Sequence, residues 1–156
     1  MKTSIGLSAE QLKTSTDILS TVLADELTLY IKTRKFHWNV SGESFMELHK
    51  LFEHQYKEIE EVIDEVAERI GKLGSITIGT MAQYTKITRL KEWPDEYPIR
   101  MKMVEELVED HETVIKELRE DIVKCDKSGD AGTTDFLTGV MQEHETIAWT
   151  LRRYLK

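Results

Sequence analysis

From Phe45 to Ile70 an apolar residue returns every three or four positions: Phe45, Leu48, Phe52, Tyr56, Ile59, Ile63, Val66 and Ile70. At 3.6 residues per turn, that spacing draws one apolar stripe down roughly seven turns of a single helix. A half-buried strand reads with period two, so no sheet arrangement buries this set on one face. A helix this long is stabilised by laying its stripe against other long helices, which directs the chain towards a bundle.

The flanking segments supply the partners. A first helix is expected from about residue 8 to 36, where Ser8 and Gln11 have capping-box spacing and Leu12, Ile18 or Leu19, Val22 or Leu23, Glu26, Leu29 and Tyr30 follow the helical period. The second is expected to begin after Ser44, which has the same spacing to Glu47, and to stop at Gly71 or Gly74. Residues 75–95 form a long connection in which TMAQYTKI has the pattern of a short helix. Pro94 and Pro98 surround the start of a third helix reaching about Lys124; CDKSGDAGTTD is a turn, and a fourth helix covers about Thr134 to Tyr154. Two helix pairs joined by one long crossover give an all-α, ferritin-like four-helix bundle, with the short helix between helices 2 and 3 and a single domain over residues 1–156.

Composition narrows the function. Two prolines and eight glycines suit helices rather than a sheet with many tight turns. A net charge of −8 opposes a folded surface that coats nucleic acid and suits a cationic partner. No apolar run is long enough to span a bilayer, and MKTSIGLSAEQLK lacks the apolar core of a secretion signal. Cys125 is the one cysteine, so no internal disulfide forms and a reducing cytoplasm is the expected compartment.

The stretch FHWNVSGESFMELHKLFEHQY holds three of the five histidines. His49 and Glu53 are four residues apart and leave the same helix face; Asp64 and Glu68 repeat that spacing further along. Imidazole with carboxylate suits iron, manganese or zinc better than calcium or magnesium. The two pairs are separated by roughly 22 Å of helix, so one copy cannot bring both to one ion. Two copies of the helix running in opposite directions about an axis near Glu58 and Ile59 would place His49 and Glu53 of one against Asp64 and Glu68 of the other. His37 would add a nitrogen from the first copy. His54, His111 and His144 read as structural or solvent-exposed. No Glu-x-x-His motif occurs, because the residues three before the histidines are Arg34, Met46, Leu51, Val108 and Met141. A di-iron centre inside one bundle is therefore not expected.

These residues carry a resemblance. FHWNVSGESFMELHKLFEHQY, the following DEVAERI and the later EHETIAWTLRRYL resemble the Dps family, the miniature ferritins, over nearly the whole chain. The resemblance implies a homo-oligomeric shell of twelve subunits in which Fe(II) is oxidised between subunits, usually by hydrogen peroxide in preference to dioxygen, and stored as ferric mineral. It implies that His37, His49 and Glu53 come from one chain and Asp64 and Glu68 from its neighbour. Many members have Asp where this chain has Glu53, one methylene longer. Trp38 resembles a tryptophan that gives up an electron when Fe(II) runs short; its bland role is to close the core at the helix end.

The segment DKSGDAGTTD resembles the turn lining the family's three-fold pores, through which iron enters. Asp126, Asp130 and Asp135 would then form a ring of carboxylates that attracts cations. Turn formation and helix capping are the competing roles of these aspartates. Direct DNA binding is not expected: the start of the chain offers Lys2 and Lys13 only, the end Arg152, Arg153 and Lys156, and twelve copies would carry roughly 100 negative charges.

Overall fold

A computed structural model describes residues 3–156, so Lys2 lies outside the described residues. The helices are α1 (Ala9–Asn39), α2 (Phe45–Lys72), α3 (Met81–Ile87), α4 (Arg100–Ser128) and α5 (Ala131–Arg152), followed by a single 3-10 turn, and no strand occurs among the described residues. α1 packs along α2 and α4 along α5; the segment carrying α3 crosses from one hairpin to the other, as expected.

Five residues of the stripe read from the sequence form the core of α2, Leu48, Phe52, Ile59, Val66 and Ile70 being at most 1% exposed, while Tyr56 and Ile63 are half-buried and Phe45 is exposed at the helix start. Leu19, Leu23 and Leu29 of α1, Leu107 and Leu118 of α4, and Leu137 and Leu151 of α5 close on it. Each such side chain contributes about 2 kcal/mol of burial free energy.

Two boundaries and one cap differ from the sequence reading, each for a local reason. α1 runs on to Asn39, which puts His37 and Trp38 in its last turn. Ser44 does not cap α2: it sits at φ 59°, ψ 25°, in the left-handed region, and its side chain makes no capping hydrogen bond. The chain reverses in so few residues there that both Gly42 (φ 86°) and Ser44 take positive φ, which turns the serine hydroxyl away from the amides it was expected to cap. Finally, the CDKSGDAGTTD turn shrinks to Gly129 and Asp130, because Gly129 ends α4 at φ 82° and Asp130 immediately caps α5.

One guanidinium fastens the crossover. Arg89 reaches Asp25 of α1 (2.6 Å) and, from α4, Glu117 (2.9 Å) and Asp121 (2.7 Å). Its backbone N–H also donates to Asp25 Oδ1 at 2.6 Å, and the Thr88 hydroxyl donates to the same oxygen. Asp25 and Asp121 are buried, so losing Arg89 leaves Asp25 in the interior without a cation and Asp121 with Lys124 alone, at 3.2 Å.

Candidate metal centre

The 41–44 reversal folds the end of α1 against the start of α2, and this brings His37 and His49 together. Their rings stack with centroids 3.8 Å apart and planes 18° from parallel. His37 Nδ1 lies 2.7 Å from the carbonyl oxygen of His49, and His49 Nδ1 lies 2.9 Å from that of His37. A carbonyl oxygen can only accept, so each Nδ1 carries the proton and donates. Each Nε2 then keeps its lone pair, the tautomer that a metal ion requires. Phe45 lies against His49 (5.1 Å between centroids) and Tyr56 presents its edge to His37 (5.3 Å), so apolar surface fixes both rings.

Glu53 is the next turn of α2. Its Oε1 accepts from Lys57 Nζ at 2.6 Å. That hydrogen bond and the Lys57 charge hold the Glu53 carboxyl below its ordinary value, with smaller help from His37 and His49. The carboxylate is therefore ionised, one helical turn from His49. Asp64 and Glu68 are exposed further down the same helix, Glu68 paired with Lys72 at 3.0 Å. Among the described residues of one chain, no three His, Cys, Asp or Glu side chains stand close enough to share an ion.

Trp38 does not close the core. It is 63% exposed, and its ring lies under the Arg34 guanidinium at 5.1 Å. The same guanidinium lies over Tyr30 (5.4 Å) and Tyr56 (4.8 Å).

The three aspartates near the α4–α5 turn divide. Asp126 and Asp135 are exposed, but Asp130 is 3% exposed and faces the fold. It caps α5 by accepting from the Thr133 N–H (3.0 Å) and hydroxyl (2.6 Å), with Arg69 of α2 at 3.4 Å. Burial works to raise its pKa, but the Thr133 hydrogen bonds and the Arg69 charge prevail and hold it below the ordinary value. Gly132 makes room for this arrangement, since a Cβ there would meet Arg69 Nη2 at 2.7 Å. Of the two roles weighed for these aspartates, capping is the one Asp130 fills within the chain.

Sequence reasoning missed a polar chain in the core. Glu26 of α1, His144 of α5 and His111 of α4 are all at most 2% exposed. Glu26 Oε1 accepts from His144 Nε2 at 2.7 Å, and the two histidines meet through their Nδ1 atoms at 2.8 Å. Burial, and then the neighbouring His144, hold His111 well below its ordinary pKa. The available signal was position. Glu26 falls in the apolar stripe of α1, His111 lies between Val108 and Val114, and His144 lies between Met141 and Ile147.

Comparison with known proteins decides the family. The ferritin-like domain model matches residues 16–156. DNA protection during starvation protein 2 of Bacillus anthracis is 36% identical over 140 residues, covering 89% of this chain and 94% of that one. DpsC from Streptomyces coelicolor superposes with a TM-score of 0.96 at 30% identity, covering all of this chain and 91% of its own. The chain belongs to the Dps family. Dps from Vibrio cholerae O1, described as a member of a superfamily of ferritin-like diiron-carboxylate proteins, shares the fold at TM-score 0.90 and 27% identity, covering 99% of this Dps chain and 100% of its own. No helix among the described residues is long and apolar enough to cross a membrane.

Proposed function

We propose that this Dps protein takes up Fe(II), oxidises it at centres shared between two subunits, and stores the ferric product inside a shell of twelve. The observation that carries the reading is the reciprocal His37–His49 lock, which turns both Nδ1 atoms to the backbone and leaves both Nε2 atoms free, with the ionised Glu53 one turn further along α2. Asp64 and Glu68 of a second copy would complete each ligand set, which a single chain leaves unfinished. Membership of a family whose Vibrio relative is described as ferritin-like and diiron-carboxylate supports iron as the substrate.

Hydrogen peroxide is the proposed preferred oxidant. It accepts two electrons, one from each of two Fe(II) ions, so a paired site reduces it to water without releasing hydroxyl radical. The chain's own contribution is to hold two cations close together through imidazoles and carboxylates whose charge offsets theirs. Asp126 and Asp135, exposed at the α4–α5 turn, would lead cations inwards; Asp130 supports the turn from behind.

Mixed assembly tests the shared centre. A shell of His49→Ala chains lacks one ligand at every centre, and so does a shell of Asp64→Ala chains. When the two are unfolded and reassembled together, a mixed pair has one centre missing both ligands and one complete centre. Iron oxidation followed by absorbance is expected to be lost in each variant alone and to reappear in the mixture. Failure to reappear, with mixed shells shown by mass measurement, overturns the trans arrangement.

The relatives' names favour a second reading, protection of DNA by direct binding. The charge of −8 per chain opposes it, and a gel shift at physiological salt is expected to leave duplex DNA free. Retained DNA would favour that second reading.

A further inference from the structure

We propose that Trp149 and Arg153, on the outer face of α5, dock into the groove beside Trp93 and Tyr97 of a neighbouring copy. This rests on the shell reading above and names surfaces that the shared metal centre does not use.

The receiving surface is the end of the crossover, where Trp93, Tyr97 and Ile99 all stand exposed just before α4. Large apolar side chains grouped in this way mark a contact surface. A groove of about 120 Å³ opens between Trp93, Tyr97 and the end of α1, walled by Ile31 and Phe36 and by Glu106 of α4. One lysine keeps it in shape. Lys35 Nζ donates to the Trp93 carbonyl oxygen at 2.5 Å and lies over the Tyr97 ring at 4.6 Å, which fixes both aromatic walls. Lys32, the other cation of the groove, is taken up by Asp110 at 2.6 Å. The remaining charge is acidic: Glu92 and Glu96 are exposed on the rim, Glu106 is half-buried, and none of the three joins an ion pair among the described residues.

The inserted surface has the opposite character. Trp149 is 54% exposed, and Arg153 lies over its ring at 5.5 Å. Arg152 is held by Glu112 at 2.7 Å, whereas Arg153 has no acid of its own among the described residues. An aromatic ring carrying a free cation thus faces a recess of aromatic rings carrying free carboxylates.

The occupant is a second copy. Chains of net charge −8 repel one another overall, so contact between copies needs a local match of basic with acidic surface. Both surfaces lie at one end of the bundle, since the 3-10 turn after α5 packs on α4, yet they are on different sides. The groove lies between α1 and α4, while α5 packs on α4 and α2, so a chain cannot fill its own recess. Each copy therefore offers one insert and one recess. A head-to-tail contact of this kind closes into a ring, and rings of three divide a shell of twelve evenly.

Native mass measurement at physiological ionic strength tests the contact. The wild type is expected as twelve chains. Arg153→Glu and Glu96→Arg are each expected to lose that species and leave two-chain units. Arg153→Glu combined with Glu96→Arg restores opposite charges and is expected to regain the shell. Trp149→Ala, which leaves the charges in place, is expected to shed two-chain units on dilution. All these positions are exposed, and circular dichroism checks that each variant is folded. Because the metal centre is placed across α2, the two-chain units are expected to oxidise Fe(II) at the wild-type rate per chain, with the ferric product precipitating. Intact shells in both charge variants, or a combined variant that stays as two-chain units, overturns the docking. A wild type that forms no shell sinks the shell reading instead, and a wild-type shell that oxidises no iron sinks the iron reading alone.

Discussion

The molecule contains two pairs of touching histidines, and they use their nitrogens in opposite ways. His37 and His49 lie at the end of the first hairpin, stack face to face and donate through Nδ1 to each other's backbone carbonyl. Their Nε2 atoms are left unclaimed. His111 and His144 lie in the core, meet Nδ1 to Nδ1, and are tied through the second Nε2 to Glu26. The first pair spends its protons on the backbone and keeps its Nε2 lone pairs out of any hydrogen bond among the described residues. The second spends three of its four ring nitrogens on side-chain partners and joins three helices, with His111 Nε2 sealed in the core where no ion can reach it without unfolding the bundle. Proximity of two imidazoles therefore says little; the partner of the remaining nitrogen separates a candidate ligand from an internal tie.

Substitutions should pull these roles apart. The largest effect is expected at the open pair: His49→Ala should slow iron oxidation by about 100-fold, read by stopped-flow absorbance, while urea denaturation shows little change in stability. The closed pair should behave inversely. His144→Ala leaves Glu26 and His111 buried without their shared partner and should cost about 3 kcal/mol in denaturant unfolding, with the oxidation rate per folded centre retained. A rate collapse in His144→Ala shells that remain folded would contradict the division.

Acid sharpens the contrast. The folded-state pKa of His111 lies below its unfolded value near 6.5, so the stability it contributes is complete above that pH and drains away as pH falls beneath it. Unfolding measured from about pH 7.5 down to 5 should show this loss, and His111→Gln should flatten that part of the curve. The smallest effect is expected at Lys57, whose ammonium competes with any cation for Glu53. Lys57→Met should tighten Fe(II) binding by less than about tenfold in anaerobic calorimetry, as befits an exposed ion pair. Weaker binding would mean that Lys57 positions Glu53 instead of competing for it.

Much of this was legible in the chain. The Phe45–Ile70 stripe required a long buried helix, and the capping spacing of Ser8 and Gln11 is realised as a reciprocal pair of hydrogen bonds. His37 and His49 were singled out as ligands, but their mutual lock was not, because it depends on a reversal in which Ser44 leaves the conformation its sequence pattern suggested. Asp130 looked like its neighbours Asp126 and Asp135 until Arg69, sixty-one residues away, claimed it. The Glu26–His144–His111 chain was hidden for a related reason. Helical periodicity shows which face a residue occupies, whereas the choice of partner is made between helices far apart in sequence.

Arg89 bears on how such a subunit comes apart. The crossover is covalently the weakest tie between the two hairpins, a single strand of backbone running past α3. By binding acids from α1 and α4 with one side chain, Arg89 makes each hairpin's melting expose the other's carboxylates. Heat should then find no half-melted chain to populate: the two hairpins share one transition.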